Sequence, residues 1–227
     1  MLNSEPMAKT AIILGASGAT GSELLKLLLH DDRYSKIKLF SRRPGLVNHP
    51  KIEEHIVNLF ELENYSSDFT GDEVFCCIGT TKAKTPDRRE YYETDFGIPA
   101  NAALMSLKNH IHTYIVISAV GADADSGIFY NRIKGEMQDA VMGISIPSVH
   151  VLQPSLIVAE RRENRLLEKL AALIMWLVNP LLFGNAAKYK SIKAYDVAKT
   201  MLWLANNEYP ATIIPSDKIQ QIAELTQ

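Results

Sequence analysis

Two groups of residues in this chain have the types and spacing for chemistry. The first is Gly15-Ala16-Ser17-Gly18-Ala19-Thr20-Gly21, which follows the apolar run Ala11 to Leu14 and precedes Ser22-Glu23-Leu24-Leu25-Lys26-Leu27-Leu28 at helical period. Where a strand turns into a helix, this spacing predicts a dinucleotide site. Gly15 permits the tight turn, Gly18 lets backbone come close to a pyrophosphate, and Gly21 lets the helix lie near the sheet. The helix N-terminus adds unpaired N–H groups and partial positive charge for the anion, so Ser17, Ala19 and Thr20 join the glycines as cofactor-binding residues. The second group is Tyr130 and Lys134, whose four-residue step puts both side chains on one helix face, with Ser118 at the end of the preceding apolar run. A free tyrosine titrates near 10, and an adjacent ammonium and a nicotinamide cation pull it toward working pH. Tyr130 then passes a proton to a carbonyl oxygen as hydride arrives at carbon. Lys134 holds the nicotinamide ribose and tunes Tyr130, and Ser118 hydrogen-bonds the substrate oxygen.

These residues need a frame. Apolar runs at Ala11–Leu14, Lys36–Ser41, Ile52–Val57, Glu73–Ile78, Tyr114–Ser118 and Ser148–Leu152 read as strands. Helical spacing covers the segment after Gly21, Tyr91 to Asn109 with a bend at Pro99, and Phe129 to Val141 with Gly143 as stop signal. The tail predicts helices near Arg165 to Val178 and Ala194 to Asn206, a short strand at Thr212 to Ile214, and a last helix after Ser216. Alternation of strand and helix implies an α/β fold, a doubly wound parallel sheet with helices on both faces and right-handed crossovers. At 227 residues and 47% hydrophobic content the chain reads as one domain, 1–227.

The cofactor is predicted from the end of the second strand. There a carboxylate would bind the 2′-hydroxyl of NAD, and this chain has Ser41-Arg42-Arg43-Pro44 instead. Two guanidinium groups suit a 2′-phosphate, so NADP(H) is expected. The net charge of −2 and a pI near 6.3 exclude a strongly basic surface, and nucleic acid is not an expected partner. Cys76 and Cys77, adjacent in a predicted buried strand, exclude a disulfide between them and read as small core or pocket residues. The histidines are scattered, and no metal is assigned. Met1 to Lys9 lack the pattern of a secretory signal, and a cytoplasmic protein is expected. The apolar stretch from Leu166 to Phe183 is interrupted by Glu168, Lys169 and Asn179-Pro180, too broken to span a bilayer. It can bury itself within the monomer or against a second copy, which leaves a homodimer open.

With these motifs in place, the chain resembles the atypical short-chain dehydrogenase/reductases, close to the Tat-interacting-protein-like oxidoreductase group. The resemblance runs from Ile12 to about Ala205 and rests on residues 15–21, Ser41-Arg42-Arg43, Cys76-Cys77-Ile78-Gly79-Thr80-Thr81, and Tyr130 with Lys134 before Gly135-Glu136. It implies a Rossmann-type domain in which Asn58 and Leu59 flank the adenine. Ile78, Gly79 and Thr80 line the cofactor. Pro154, Ser155 and Leu156 pass beside the nicotinamide, with Arg161 further along. Asp123 and Asp125 fall in a solvated loop. Three departures carry their own expectations: Asn58 replaces an adenine-binding Asp, Asp95 replaces an Asn that supports a proton-relay water, and Ser155 replaces a Gly and narrows access to the nicotinamide. The implied activity is NADPH-dependent reduction of a small carbonyl-type or quinone-like substrate, bound mainly by residues 155–195. The alternative is an NADP(H)-binding regulatory or scaffold protein without significant turnover.

Overall fold

The computed structural model describes residues 8–45, 47–158 and 190–225. Seven parallel strands form one sheet in the order β3-β2-β1-β4-β5-β6-β9, with β1 Lys9–Leu14, β2 Tyr34–Ser41, β3 Ile52–Ile56, β4 Glu73–Cys76, β5 Thr113–Ile117, β6 Ser148–Gln153 and β9 Ile213–Pro215. The order reverses at β1, so a crevice opens between β1 and β4 at their carboxyl ends, where open α/β sheets hold ligands.

The strands are apolar on both faces because both faces are covered. Ala11 and Ile13 join Leu24, Leu28, Val197 and Met201 in one core layer, formed with the helices α1 Ala19–Leu29, α5 Ala194–Leu204 and α6 Ser216–Leu225. Ile12 and Leu14 join Leu62, Ala102, Met137 and Val141 in the other, formed with the 3-10 segment Leu59–Tyr65, α3 Ile98–Lys108 and α4 Phe129–Met142. Each pair alternates by one residue, as a pleated strand requires.

The segment expected to be helical from Tyr91 begins earlier. It runs as α2 Arg88–Tyr92, a wide π turn at Glu93–Gly97, and then α3. Pro99, with no N–H to donate to the carbonyl four residues back, sits just past the wide turn. Its own carbonyl accepts a 2.7 Å hydrogen bond from the buried Tyr114 hydroxyl on β5, which fixes the turn against the sheet. Two strands escaped the sequence reading: β7 Ile157–Val158 pairs in parallel with β8 Ile192–Lys193. The stretch Arg165 to Val178 lies outside the described residues, as do most of residues 155–195. Among the described residues, no helix is long and apolar enough to cross a membrane, and no three His, Cys, Asp or Glu side chains gather as metal ligands would.

Candidate active site

The glycine-rich turn joins β1 to α1. Gly15 has φ +83°, and a Cβ there would lie 2.8 Å from the Cys77 carbonyl oxygen, so both backbone conformation and space exclude a side chain. At Gly21 a Cβ would stand 2.2 Å from the Gly15 carbonyl oxygen, which lets the first turn of α1 rest on the loop. Gly18 donates to the Gly15 carbonyl at 2.9 Å and is the N-cap residue, with no side chain to satisfy the N–H groups of Ala19, Thr20 and Gly21. Those donors point out of the helix start beside Ser17.

A cleft of about 760 Å³ opens from this turn. Gly15, Ala16 and Ser17 form one wall, and Ser41 at the end of β2 with Arg42 and Arg43 beyond it another; Leu59 and Ile78 close it. Arg42 and Arg43 are exposed, and neither forms an ion pair among the described residues. The Ser41 hydroxyl donates to the Arg43 carbonyl at 2.7 Å and sets the bend that carries the guanidiniums. Glu54 of β3 also lines the cleft, and sequence reasoning missed it; its carboxylate accepts from the Gly45 N–H at 2.7 Å. The register pairing Glu54 with Leu39 puts it there, and that register is a property of the sheet. Leu59 is buried. Asn58 is exposed and caps the 3-10 segment, its side-chain oxygen accepting from the Phe60 N–H at 3.2 Å. That oxygen is already engaged within its own segment.

Behind the crevice, α4 presents Tyr130 and Lys134 on one face, as their spacing predicts. The Lys134 ammonium is 3% exposed and lies 2.8 Å from Oδ1 of Asp95, itself 1% exposed. The π turn carries Asp95 into the interior, where its Oδ2 accepts from the Thr80 N–H at 2.8 Å. Gly79 abuts the pair: a Cβ there would touch both the Asp95 carboxylate and the Lys134 ammonium. Tyr130 is 40% exposed. The sequence reading expects its hydroxyl to be acidified, and the protein by itself shows the reverse. Burial of the hydroxyl raises its pKa, the Lys134 charge opposes this, and the Asp95 carboxylate adds to the rise.

Ser118 follows β5 as expected, but it does not stand free toward Tyr130. It is 4% exposed, and its hydroxyl accepts from Gln138 Nε2 at 2.6 Å; Gln138 in turn accepts from Gln153 at 3.0 Å. Gln138 lies one turn beyond Lys134 on the same helix face, so the 3.6 period could have drawn attention to it.

Pro154, Ser155 and Leu156 leave the carboxyl end of β6. The Pro154 carbonyl accepts from the Val120 N–H at 3.0 Å. Ser155 does not project into the crevice: it is 8% exposed, its hydroxyl donates to the Lys190 carbonyl, and its N–H donates to Ser216 Oγ at 3.1 Å. The expected narrowing of the site by this side chain is corrected accordingly. Leu156 is exposed and leads into β7, Arg161 lies outside the described residues, and Asp123 and Asp125 are exposed in the loop before α4.

No family model matches the chain. Protein FMP52-1, mitochondrial, of Scheffersomyces stipitis is 26% identical over 227 residues, spanning 96% of this chain and 97% of that protein. Protein HTATIP2 of Rattus norvegicus is 30% identical over 161 residues, 69% of this chain and 66% of that protein. Among solved structures, a short-chain dehydrogenase/reductase superfamily protein of Agrobacterium tumefaciens with bound NAD shares the fold with a TM-score of 0.69 at 13% identity, covering 96% of this chain and 83% of that one. The expectation of a cytoplasmic protein is corrected by these relatives, since FMP52 proteins of Scheffersomyces stipitis, Candida albicans and Candida glabrata are all named as mitochondrial. By sequence relationship to FMP52 and HTATIP2 and by its seven-stranded parallel sheet, the chain belongs to the atypical short-chain dehydrogenase/reductases.

Proposed function

We propose that this protein is an NADP(H)-dependent oxidoreductase that reduces a small carbonyl-type or quinone-like substrate, with Tyr130 as proton donor. The observation that carries the reading is the cleft in which an uncapped helix start faces two exposed guanidiniums that form no ion pair among the described residues. The residues fit the group. The N–H groups of Ala19, Thr20 and Gly21 offer donors to a pyrophosphate, and Arg42 and Arg43 offer charge-assisted donors to a 2′-phosphate. Ile78 lines the cleft, and Gly79 and Thr80 follow it against the Asp95–Lys134 pair.

When bound, a reduced nicotinamide supplies hydride. The Tyr130 hydroxyl gives its proton to the oxygen of the substrate carbonyl, where negative charge develops, and the Lys134 ammonium stabilises the phenolate that remains. Because Ser118 is held by Gln138, we assign it to anchoring β5 on α4 and leave proton donation to Tyr130. A second reading is favoured by one observation, the Lys134–Asp95 ion pair: a protein that binds NADP(H) and signals its presence without turnover.

The test is calorimetric titration with NADPH and NADH, followed by NADPH oxidation against a panel of carbonyls and quinones. Arg42→Ala/Arg43→Ala is expected to weaken NADPH binding roughly a hundredfold, the loss of one to two hydrogen bonds to a charged group, and to leave NADH unchanged. Equal affinities for the two coenzymes in the wild type would overturn the 2′-phosphate assignment. Tight NADPH binding with no oxidation across the panel would favour the second reading.

A further inference from the structure

The π turn places a carboxylate where it competes for the one ammonium that the proposed chemistry needs. Lys134 has three donors and is almost wholly buried, yet among the described residues its one charged partner is Asp95. The Asp95 Oδ1 that faces it makes no well-aligned hydrogen bond, so this buried pair is held by charge and proximity. Asp95 is itself fixed from the other side. Thr80 donates its N–H to Oδ2; the Thr80 hydroxyl is paired with that of Thr85 at 2.8 Å, and its carbonyl accepts from the Tyr91 hydroxyl at 3.3 Å. The carboxylate thus links the loop after β4 to the middle of α4.

Building on the coenzyme reading above, we propose that Asp95 is a positioning residue that holds the Lys134 ammonium away from Tyr130 and from an incoming ribose, so that coenzyme binding must take this ammonium from a buried carboxylate. The protein alone is then kept in a resting arrangement. The groups that face the pair are Tyr130 on α4, Tyr91 from α2 and Cys76 from β4. All three are neutral near pH 7, since burial raises each of them, so Asp95 supplies the negative charge against Lys134. Asparagine at this position retains an acceptor for the Thr80 N–H and removes the competing charge.

The experiment compares wild type with Asp95→Asn and Asp95→Ser. The Tyr130 phenolate is followed by absorbance, as the difference between each protein and the same protein carrying Tyr130→Phe, and NADPH affinity is measured by calorimetry. We expect the Tyr130 midpoint to fall by about one pH unit or more in both variants, and NADPH to bind about tenfold tighter. An unchanged midpoint would overturn the proposal, and a lowered midpoint with unchanged affinity would overturn the competition with the ribose. Failure of both variants to fold even in excess NADPH would also overturn it, because an ammonium taken over by the ribose no longer depends on Asp95. Absence of NADPH binding in the wild type would instead sink the coenzyme reading, and the phenolate titration would still decide whether Asp95 withholds the ammonium.

Discussion

Two lysine–carboxylate pairs, each with a buried carboxylate, sit at opposite edges of the same sheet, and they are built differently. At the amino edge Glu73, the first residue of β4, is 2% exposed and ion-paired with Lys9 of β1, while the Tyr34 hydroxyl donates to its other oxygen. Tyr34 accepts in turn from Asn206 Nδ2 at 2.7 Å, and the Lys9 ammonium also donates to the Ala205 carbonyl and to Asn206 Oδ1. Every strong donor and acceptor of that cluster is satisfied. At the carboxyl edge, Asp95 and Lys134 leave hydrogen-bonding capacity unused in a buried site. Cavity size does not separate the edges, since each carries one of about 760 Å³. A closed network fixes β1, β4 and α5 together, whereas an open one leaves an ammonium that a ligand can claim.

If that contrast holds, the largest effect belongs to the carboxyl edge and touches activity alone. Tyr130→Phe is expected to lower NADPH-dependent turnover about 10²- to 10⁴-fold, the usual contribution of a general acid, with the melting temperature and NADPH affinity nearly unchanged. Residual turnover within threefold of wild type would remove Tyr130 from the chemistry. The amino edge should behave in the opposite way. Glu73→Ala leaves Lys9 and the buried Tyr34 hydroxyl without their acceptor, and is expected to cost about 3 kcal/mol in a denaturant titration, the low end for a broken buried pair because Lys9 is one-third exposed. NADPH affinity of the folded variant should match wild type. A tenfold loss of affinity without loss of stability would show that the edges are coupled after all.

What could be seen in the sequence divides along the same line. The turn from β1 to α1 was legible because its constraints are local: Gly15 and Gly21 have no room for a side chain against backbone a few residues away or just past β4, and a Cβ on Gly18 would stand a tight 3.1 Å from the Gly15 carbonyl oxygen. The shared face of Tyr130 and Lys134 was legible because helical period fixes it. The partners of these residues were not. Asp95 faces Lys134 only because a wide turn interrupts the helix before Pro99 and rotates the carboxylate inward, and a 3.6-residue pattern carries no sign of that extra residue. Ser118 is claimed by Gln138, and Ser155 by Lys190 and Ser216, choices made by packing between elements far apart in the chain. The alternation of buried side chains gave the sheet and its two covered faces, while the cross-strand register that brings Glu54 to the cleft lay beyond it.

The smallest effect in this series is a pH dependence at β6, three strands from β1 in the sheet. His150 on β6 is 4% exposed; its Nδ1 faces the Ala211 carbonyl at 3.0 Å and its Nε2 faces Ser148 Oγ at 3.3 Å, so the ring ties β6 to the strand beside it as a neutral donor. Burial lowers its pKa below the ordinary 6.5, against a small opposing effect of the carbonyl. Between 6.5 and the lowered value the unfolded chain therefore binds the proton and the folded chain does not, and stability falls as pH drops through that window. The contribution cannot exceed about 1.4 kcal/mol per pH unit. Denaturant titrations from pH 7.5 to 5 should show wild type losing stability faster than His150→Asn, with the difference between the two constant above pH 7. Parallel curves would mean that the ring takes up its proton equally in the folded and unfolded chains, whereas a change in NADPH affinity in the variant would mean that the proposed coenzyme site extends to this side of β6, against the division between the two edges.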